Sequence, residues 1–305
     1  MTRTDTPRQD IYSRITDQIV SALEQGVKPW TQPWNAGHAA GPVSRPLRYS
    51  GEGYSGINVL TLWASAMERG FGAPIWMTFK QALELGGHVR KGEKGSPVVY
   101  ANTIQRTETD ERTGDELDVS IPFLKAYTVF NVEQIEDLPA HYYARAEGPA
   151  NPDERIAHAE AFFAATGFDI RYGGNSAFYV PSADFIQMPD FAAFRDADSF
   201  YSTLGHESVH ATRHRSRLDR DFGRQRFGDA GYAKEELVAE LGAAFLCADL
   251  ELTLEDRNDH TAYIGSWLEV LKNDKRAIFT AAAHAQRAVD YLHHLQKSAV
   301  SEAAA

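Results

Sequence analysis

The sequence predicts an α+β fold in two domains, on three observations. Segments with an apolar residue every three or four positions alternate with short runs rich in Val, Ile, Phe and Tyr, so helices and strands are both expected. At 305 residues and 43% hydrophobic composition the chain is long enough to bury two ordinary cores. Finally, Ala146-Glu-Gly-Pro-Ala-Asn-Pro152 has no periodicity and two prolines, which makes it a linker dividing residues 1–145 from residues 146–305.

The first element is a helix over residues 9–26, with Ile11, Ile15, Ile19 and Leu23 on one stripe and Gly26 at its end. Lys28-Pro-Trp30-Thr-Gln-Pro-Trp34 follows, held extended by its two prolines. Residues 41–55 form a loop in which Arg45, Arg48, Tyr49 and Tyr54 occur without apolar periodicity. A helix is expected from Asn58 to Arg69, and a short one after Trp76-Met-Thr-Phe-Lys80. His88-Val-Arg90-Lys91-Gly-Glu-Lys94-Gly95 is a basic glycine turn leading into a strand that ends near Tyr100. Residues 105–118 are polar and suit a hairpin tip, Phe123–Phe130 is the returning strand, and Glu133–Ala140 is a short helix or turn.

Beyond the linker, a helix is expected over Asp153–Thr166, then strands at Asp169–Tyr172, Ser176–Pro181 and Asp184–Pro189. The next helix carries Phe200, Leu204 and Val209 toward a core, and Asp196 or Asp198 can cap it. On it lies His206-Glu207-Ser-Val-His210. At 3.6 residues per turn the two imidazoles project from one face and can grip one ion. Glu207 lies about 100° round the helix, near enough to take a proton from water that the ion activates. This is the H-E-x-x-H arrangement of zinc peptidases, and strands just before the metal helix fit the zincin plan, in which an edge strand can pair with an extended peptide.

A catalytic site needs a third protein ligand and an open position. His214 lies eight residues beyond His206, about 12 Å along a continuous helix, too far to share the ion. Arg213 and Ser216 occupy the Gly and His places of the metzincin continuation. The third ligand is therefore expected from Tyr232–Asp249, a buried-type helix with acids amid Ala, Leu, Val and Phe. Glu236 and Glu240 share a face there, so one can ligate while the other steadies a histidine from behind; Glu235 is expected to point elsewhere. Between the two helices, Arg213, Arg215, Arg217, Arg220, Arg224 and Arg226 make a basic loop, a lid, a polyanion contact or simply a solvated loop. Residues 263–297 read as helical and Ala-rich.

Cys247 is the single cysteine, so neither an intramolecular disulfide nor a thiolate metal knuckle is possible, and a reducing cytoplasm is the expected location. No run of 18 apolar residues exists, and no membrane association is expected. The net charge of −11 conceals an asymmetry: residues 1–100 carry 11 Lys and Arg against 8 Asp and Glu, which leaves −14 for the remainder. Only the amino-terminal third is expected to meet phosphate. Aromatics beside cations there suit single-stranded nucleic acid, whose bases have open faces. The candidate contacts are Arg45, Arg48, Tyr49, Lys80, Arg90, Lys91 and Lys94. Trp30, Trp34, Trp63 and Trp76 are each more readily core than contact.

Residues Tyr201–His210, Ser216-Arg-Leu-Asp-Arg220, Tyr232–Ala248 and Ala262–Ile278, continuing to His284 and Tyr291, closely resemble the metallopeptidase-like domain of ArdC-type antirestriction proteins. The resemblance extends through the amino-terminal region, and that family in turn resembles the amino-terminal part of certain plasmid primases. It implies a single-stranded-DNA-binding domain over 1–145 and a zincin-like metallopeptidase domain over 146–305. The metal would be zinc, or another divalent ion such as manganese, on His206, His210 and Glu236, with Glu240 in support and Glu207 as the catalytic base. The implied role is protection of incoming plasmid or phage DNA from host restriction. One alternative is a peptidase acting on a specific partner, such as a host restriction enzyme, with DNA only targeting it. Another is a non-catalytic DNA-binding protein with a structural metal site.

Overall fold

The computed structural model describes residues 10–30, 44–109, 116–143, 152–223, 229–252, 254 and 261–303. Trp34, most of the expected linker, the centre of the polar 105–118 stretch, and Arg224 and Arg226 of the basic loop lie outside them. The chain divides into two units: residues 1–46, 53–74 and 145–305 form one, and residues 47–52 and 75–144 the other.

The larger unit is organised around α6 (Ala230–Asp249), whose residues are buried on nearly every side; a helix this apolar all round is stable only with neighbours on all faces. Those neighbours are α5 (Ala197–Ala211), against which α4 (Pro152–Ala164) also packs, α7 (Thr261–Asn273) and α8 (Ala277–Ala303). The crossing of α5 and α6 is close because residue 242 is glycine: a Cβ there would sit 2.7 Å from Cγ2 of Val209, next to His210. Asp196 caps α5, its Oδ1 accepting from the Ser199 backbone N–H at 2.8 Å. Beside α5 stands a three-stranded sheet in the order β7 (Asp169–Tyr172), β9 (Phe185–Met188), β8 (Phe178–Val180), with β7–β9 parallel and β8–β9 antiparallel. Thus β8 is an edge strand packed on the α5 side.

The amino-terminal helix α1 (Ile11–Glu24) belongs to this unit, as does α2 (Ile57–Arg69). The chain is therefore grouped differently from a single cut at residue 145, and side chains show why. The Ile15, Ile19 and Leu23 stripe of α1 is buried as α1 packs along α7. Thr16 donates to the Lys275 carbonyl at 2.7 Å, and Lys275 reaches Asp17 at 2.8 Å. An amphipathic helix satisfies its stripe wherever an apolar surface is offered, and sequence periodicity does not say where.

The smaller unit holds a four-stranded sheet in the order β1 (Leu47–Arg48), β2 (Ile75–Met77), β5 (Glu116–Asn131), β4 (Ser96–Thr109). β4 and β5 pair antiparallel from Ser96 opposite Val129 out to Thr109 opposite Glu116, so regular pairing extends into the stretch expected to be a tip. Trp76, Met77, Val98 and Val129 fill its core. The short α3 (Phe79–Glu84) starts on a capping box between Thr78 and Gln81. A two-stranded ladder pairs β3 (His88–Val89) with β6 (Ile135–Glu136).

Candidate functional site

Six ionisable side chains lie almost out of solvent around the α5–α6 crossing: His206, Glu207 and His210 from α5, and Glu235, Glu236 and Glu240 from α6. Carboxylates are rarely buried unless paired or bound to cations. Nε2 of His206 and Nε2 of His210 are 3.2 Å apart. The two oxygens of Glu236 lie 3.6 Å from the first and 3.5 Å from the second. One donor atom from each of these three residues falls within 4.8 Å of the others, the separation of ligands around a single ion, and among the described residues this is the grouping with that geometry. Two imidazole nitrogens and a carboxylate are a donor set that zinc accepts, with positions left open for water or substrate.

Behind the histidines stands another layer. Glu235, which sequence reasoning sends elsewhere, places Oε1 3.1 Å from Nδ1 of His210. Arg220 holds this carboxylate with two hydrogen bonds, Nε to Oε2 at 2.9 Å and an Nη to Oε1 at 2.7 Å, and anchors itself on the Val209 carbonyl and the Thr212 hydroxyl. With Nδ1 engaged, the ring is oriented and Nε2 is left to face the cluster. Glu240 plays a looser part for His206: its Oε2 is 3.9 Å from Nδ1. Its other oxygen accepts from the indole of Trp30 at 3.3 Å and lies 3.6 Å from Nζ of Lys28. Trp30 is itself buried edge-on against Trp267. Sequence reasoning missed Lys28, Trp30, Arg220 and Glu235 as site residues. Spacing places Glu235 off the ligand face, and nothing local announces that Arg220 comes to meet it.

The electrostatics agree with a cation site. Burial lowers the His210 pKa, but the charges and hydrogen bonds of Glu236 and Glu235 outweigh it and raise it to about 10. Burial raises Glu235, yet Arg220 and His210 bring it down to about 2. Glu236 is likewise held well below the usual carboxylate range against its burial, by both histidines. A surplus of buried negative charge thus holds positive charge in its midst, whether a proton or an ion.

Of the candidate nucleic-acid contacts, six lie in the smaller unit: Arg48, Tyr49, Lys80, Arg90, Lys91 and Lys94, all exposed. Lys80 pairs with Glu84 at 3.5 Å and Arg90 with Glu93 at 2.8 Å, across solvent-exposed gaps. Arg45 is the correction. Its guanidinium is largely buried in the larger unit, forked onto Asp249 at 2.7 and 2.9 Å and donating to Gln286 at 2.9 Å. A side chain so engaged is structural, since moving it to a phosphate would strand the Asp249 carboxylate. Trp30, Trp63 and Trp76 are core.

Two families match the chain. Residues 9–130 match the N-terminal domain of anti-restriction factor ArdC, and residues 157–284 match zincin-like metallopeptidases. Protein y4eC of Sinorhizobium fredii (strain NBRC 101917 / NGR234) is 46% identical over 98% of this chain and 97% of its own length. DNA primase TraC of Escherichia coli is 38% identical over 97% of this chain, which spans only 28% of that primase. The crystal structure of the antirestriction ArdC protein from the R388 plasmid, metal-free, superposes with a TM-score of 0.79 at 47% identity, covering 95% of this chain and 99% of that one. An Mn(II)-bound structure of the same plasmid protein gives 0.77 at 45% identity, over 94% of this chain and 98% of that one.

Proposed function

The chain belongs to the ArdC antirestriction family, and from that premise we propose that it protects incoming DNA from restriction by binding single strands and by hydrolysing a peptide bond at a divalent-metal centre. The observation that carries the metal reading is the convergence of Nε2 of His206, Nε2 of His210 and the Glu236 carboxylate on one point, with Glu207 next in sequence. Zinc is the first assignment, on the donor set; manganese is the alternative, on the Mn(II)-bound relative.

Bound there, the ion supplies Lewis acidity toward a peptide carbonyl and acidifies water. The protein's residues do the rest. Glu235, backed by Arg220, fixes the His210 ring, and Glu240, backed by Trp30 and Lys28, supports His206. Glu207 accepts the proton of the attacking water and returns it to the leaving amine. The β8 edge lies beside α5 and offers main-chain pairing to an extended peptide. Among the described residues no helix is long and apolar enough to cross a membrane.

Two measurements test the parts separately. Because Glu236 is a ligand and Glu240 a support, Glu240→Ala is expected to weaken divalent-ion binding by about 10–100-fold and Glu236→Ala by more, read by titration calorimetry. The reverse order would exchange their roles. For DNA, Arg90, Lys91 and Lys94 changed together to Ala should reduce the slope of log affinity against log salt by up to about 2, since each neutralised phosphate contributes about 0.7 for single strands. An unchanged slope removes this turn from the interface.

A further inference from the structure

Among the exposed aromatic side chains of the smaller unit, which include Tyr49, Tyr100 and Tyr143, Phe79 is the one without a polar atom. Phe79 opens α3 immediately after the capping Thr78, and 51% of its surface is exposed. Leu83, one turn on, is 53% exposed, so α3 turns an apolar pair toward solvent. The placement is fixed. The Phe79 ring meets Phe130 of β5 edge-to-face, centroids 6.3 Å apart at 64°. The capping box holds the first turn from both sides, Gln81 N–H to Thr78 Oγ1 at 3.2 Å and Thr78 N–H to Gln81 Oε1 at 2.8 Å.

The basic turn reaches the same ring from the other direction. A Cβ on Gly95 would lie 3.1 Å from Cζ of Phe130 and 2.1 Å from Cγ2 of Thr128, so only glycine lets the turn press against that strand. Gln134, buried, clamps the turn: its Nε2 donates to Glu93 at 2.8 Å and to the Lys94 carbonyl at 3.0 Å, while Arg90 N–H reaches the Gln134 carbonyl at 3.0 Å. Phe130 thus joins two surface features, an exposed phenyl flanked by Lys80, and a rigid turn presenting Arg90, Lys91 and Lys94. The charge is local. Residues 79–95 carry four cations against two acids, whereas residues 108–118 carry six acids against one arginine.

We propose that Phe79 is a base-stacking platform for single-stranded DNA, with Leu83 as its apolar margin and the turn Arg90–Lys94 holding the flanking phosphates. This rests on the single-strand-binding reading above and gives it a place. An open aromatic face fixed beside cations satisfies both needs of a single strand, a surface for an unpaired base and charge for its backbone. A duplex has phosphates to offer but no free base faces, so Phe79 adds to single-strand affinity alone.

The test uses the full chain, fluorescently labelled oligo-dT and a mixed-sequence duplex of equal length, with anisotropy read across a salt series. Phe79→Ala is expected to weaken oligo-dT binding about tenfold at every salt concentration, in line with the loss of one stacked base, and to leave the salt slope and duplex binding unchanged. Phe79→Tyr and Phe79→Trp should restore affinity to within about twofold of wild type, which separates stacking from a fold defect. Photo-crosslinking to halogenated oligo-dU should label the α3 peptide. If wild type binds oligo-dT better than duplex and Phe79→Ala does so equally well, the platform is overturned while the single-strand reading stands. If wild type shows no preference for oligo-dT, the reading itself fails and the platform with it. Retained oligo-dT affinity together with loss of a protein partner in Phe79→Ala would make α3 a protein-docking face and overturn the proposal.

Discussion

His206→Ala is expected to lower the affinity of the chain for a divalent ion at least about a hundredfold. Structural zinc sites bind with roughly 10–16 kcal/mol spread over four ligands, so each ligand carries about 3 kcal/mol, two factors of ten. The geometry places His206 centrally: its Nε2 is 3.2 Å from that of His210 and 3.6 Å from Glu236. Removing the ring also leaves Glu236 and Glu240 as buried carboxylates with one fewer cationic or hydrogen-bonding neighbour, so the fold itself should be monitored. A thermal melt of the metal-free variant supplies that control. Calorimetric titration with Zn2+ and separately with Mn2+ reads the affinity, and an unchanged Kd for both in a folded His206→Ala protein would mean that the ion sits elsewhere.

Much of this site is legible in the sequence because its chemistry is local. Two histidines four apart, a carboxylate between them and a capping aspartate before them are properties of one helix, and α5 has all of them. Glu236 could be reached by asking which other helix carries acids amid apolar residues. The supports could not, because they are fixed by tertiary meetings. Glu235 sits beside Glu236 in sequence, and it meets His210 with Arg220 alongside to neutralise it. Lys28 and Trp30 stand some 200 residues from Glu240 in the chain, in a proline-bounded segment that reads as extended and nothing more.

The same limit acts on helix packing and on the exposure of cations. The stripe of α1 announces a helix and is silent about its partner, which is α7. Arg45 and Arg48 look alike in a loop of cations and aromatics. One is spent on Asp249 and the other is exposed. Phe79 and Ala82 lie on the same short helix, yet the first is half exposed and the second fully buried. Burial is decided by what the rest of the chain brings alongside, which no window of a dozen residues contains.

Whether the proposed metal centre does chemistry in antirestriction is tested most directly by Glu207→Gln. Glu207 is buried next to His206, and its amide replacement keeps the shape while losing the capacity to accept a proton. General-base assistance contributes about 10²–10⁴-fold, so hydrolysis should fall by that factor while metal content and oligo-dT affinity stay at wild-type values. The decisive measurement is survival of transferred, unmodified plasmid DNA in a restricting host expressing either protein. Glu207→Gln, fully metal-loaded, is expected to protect no better than an empty vector; protection equal to wild type would contradict a catalytic role for the centre.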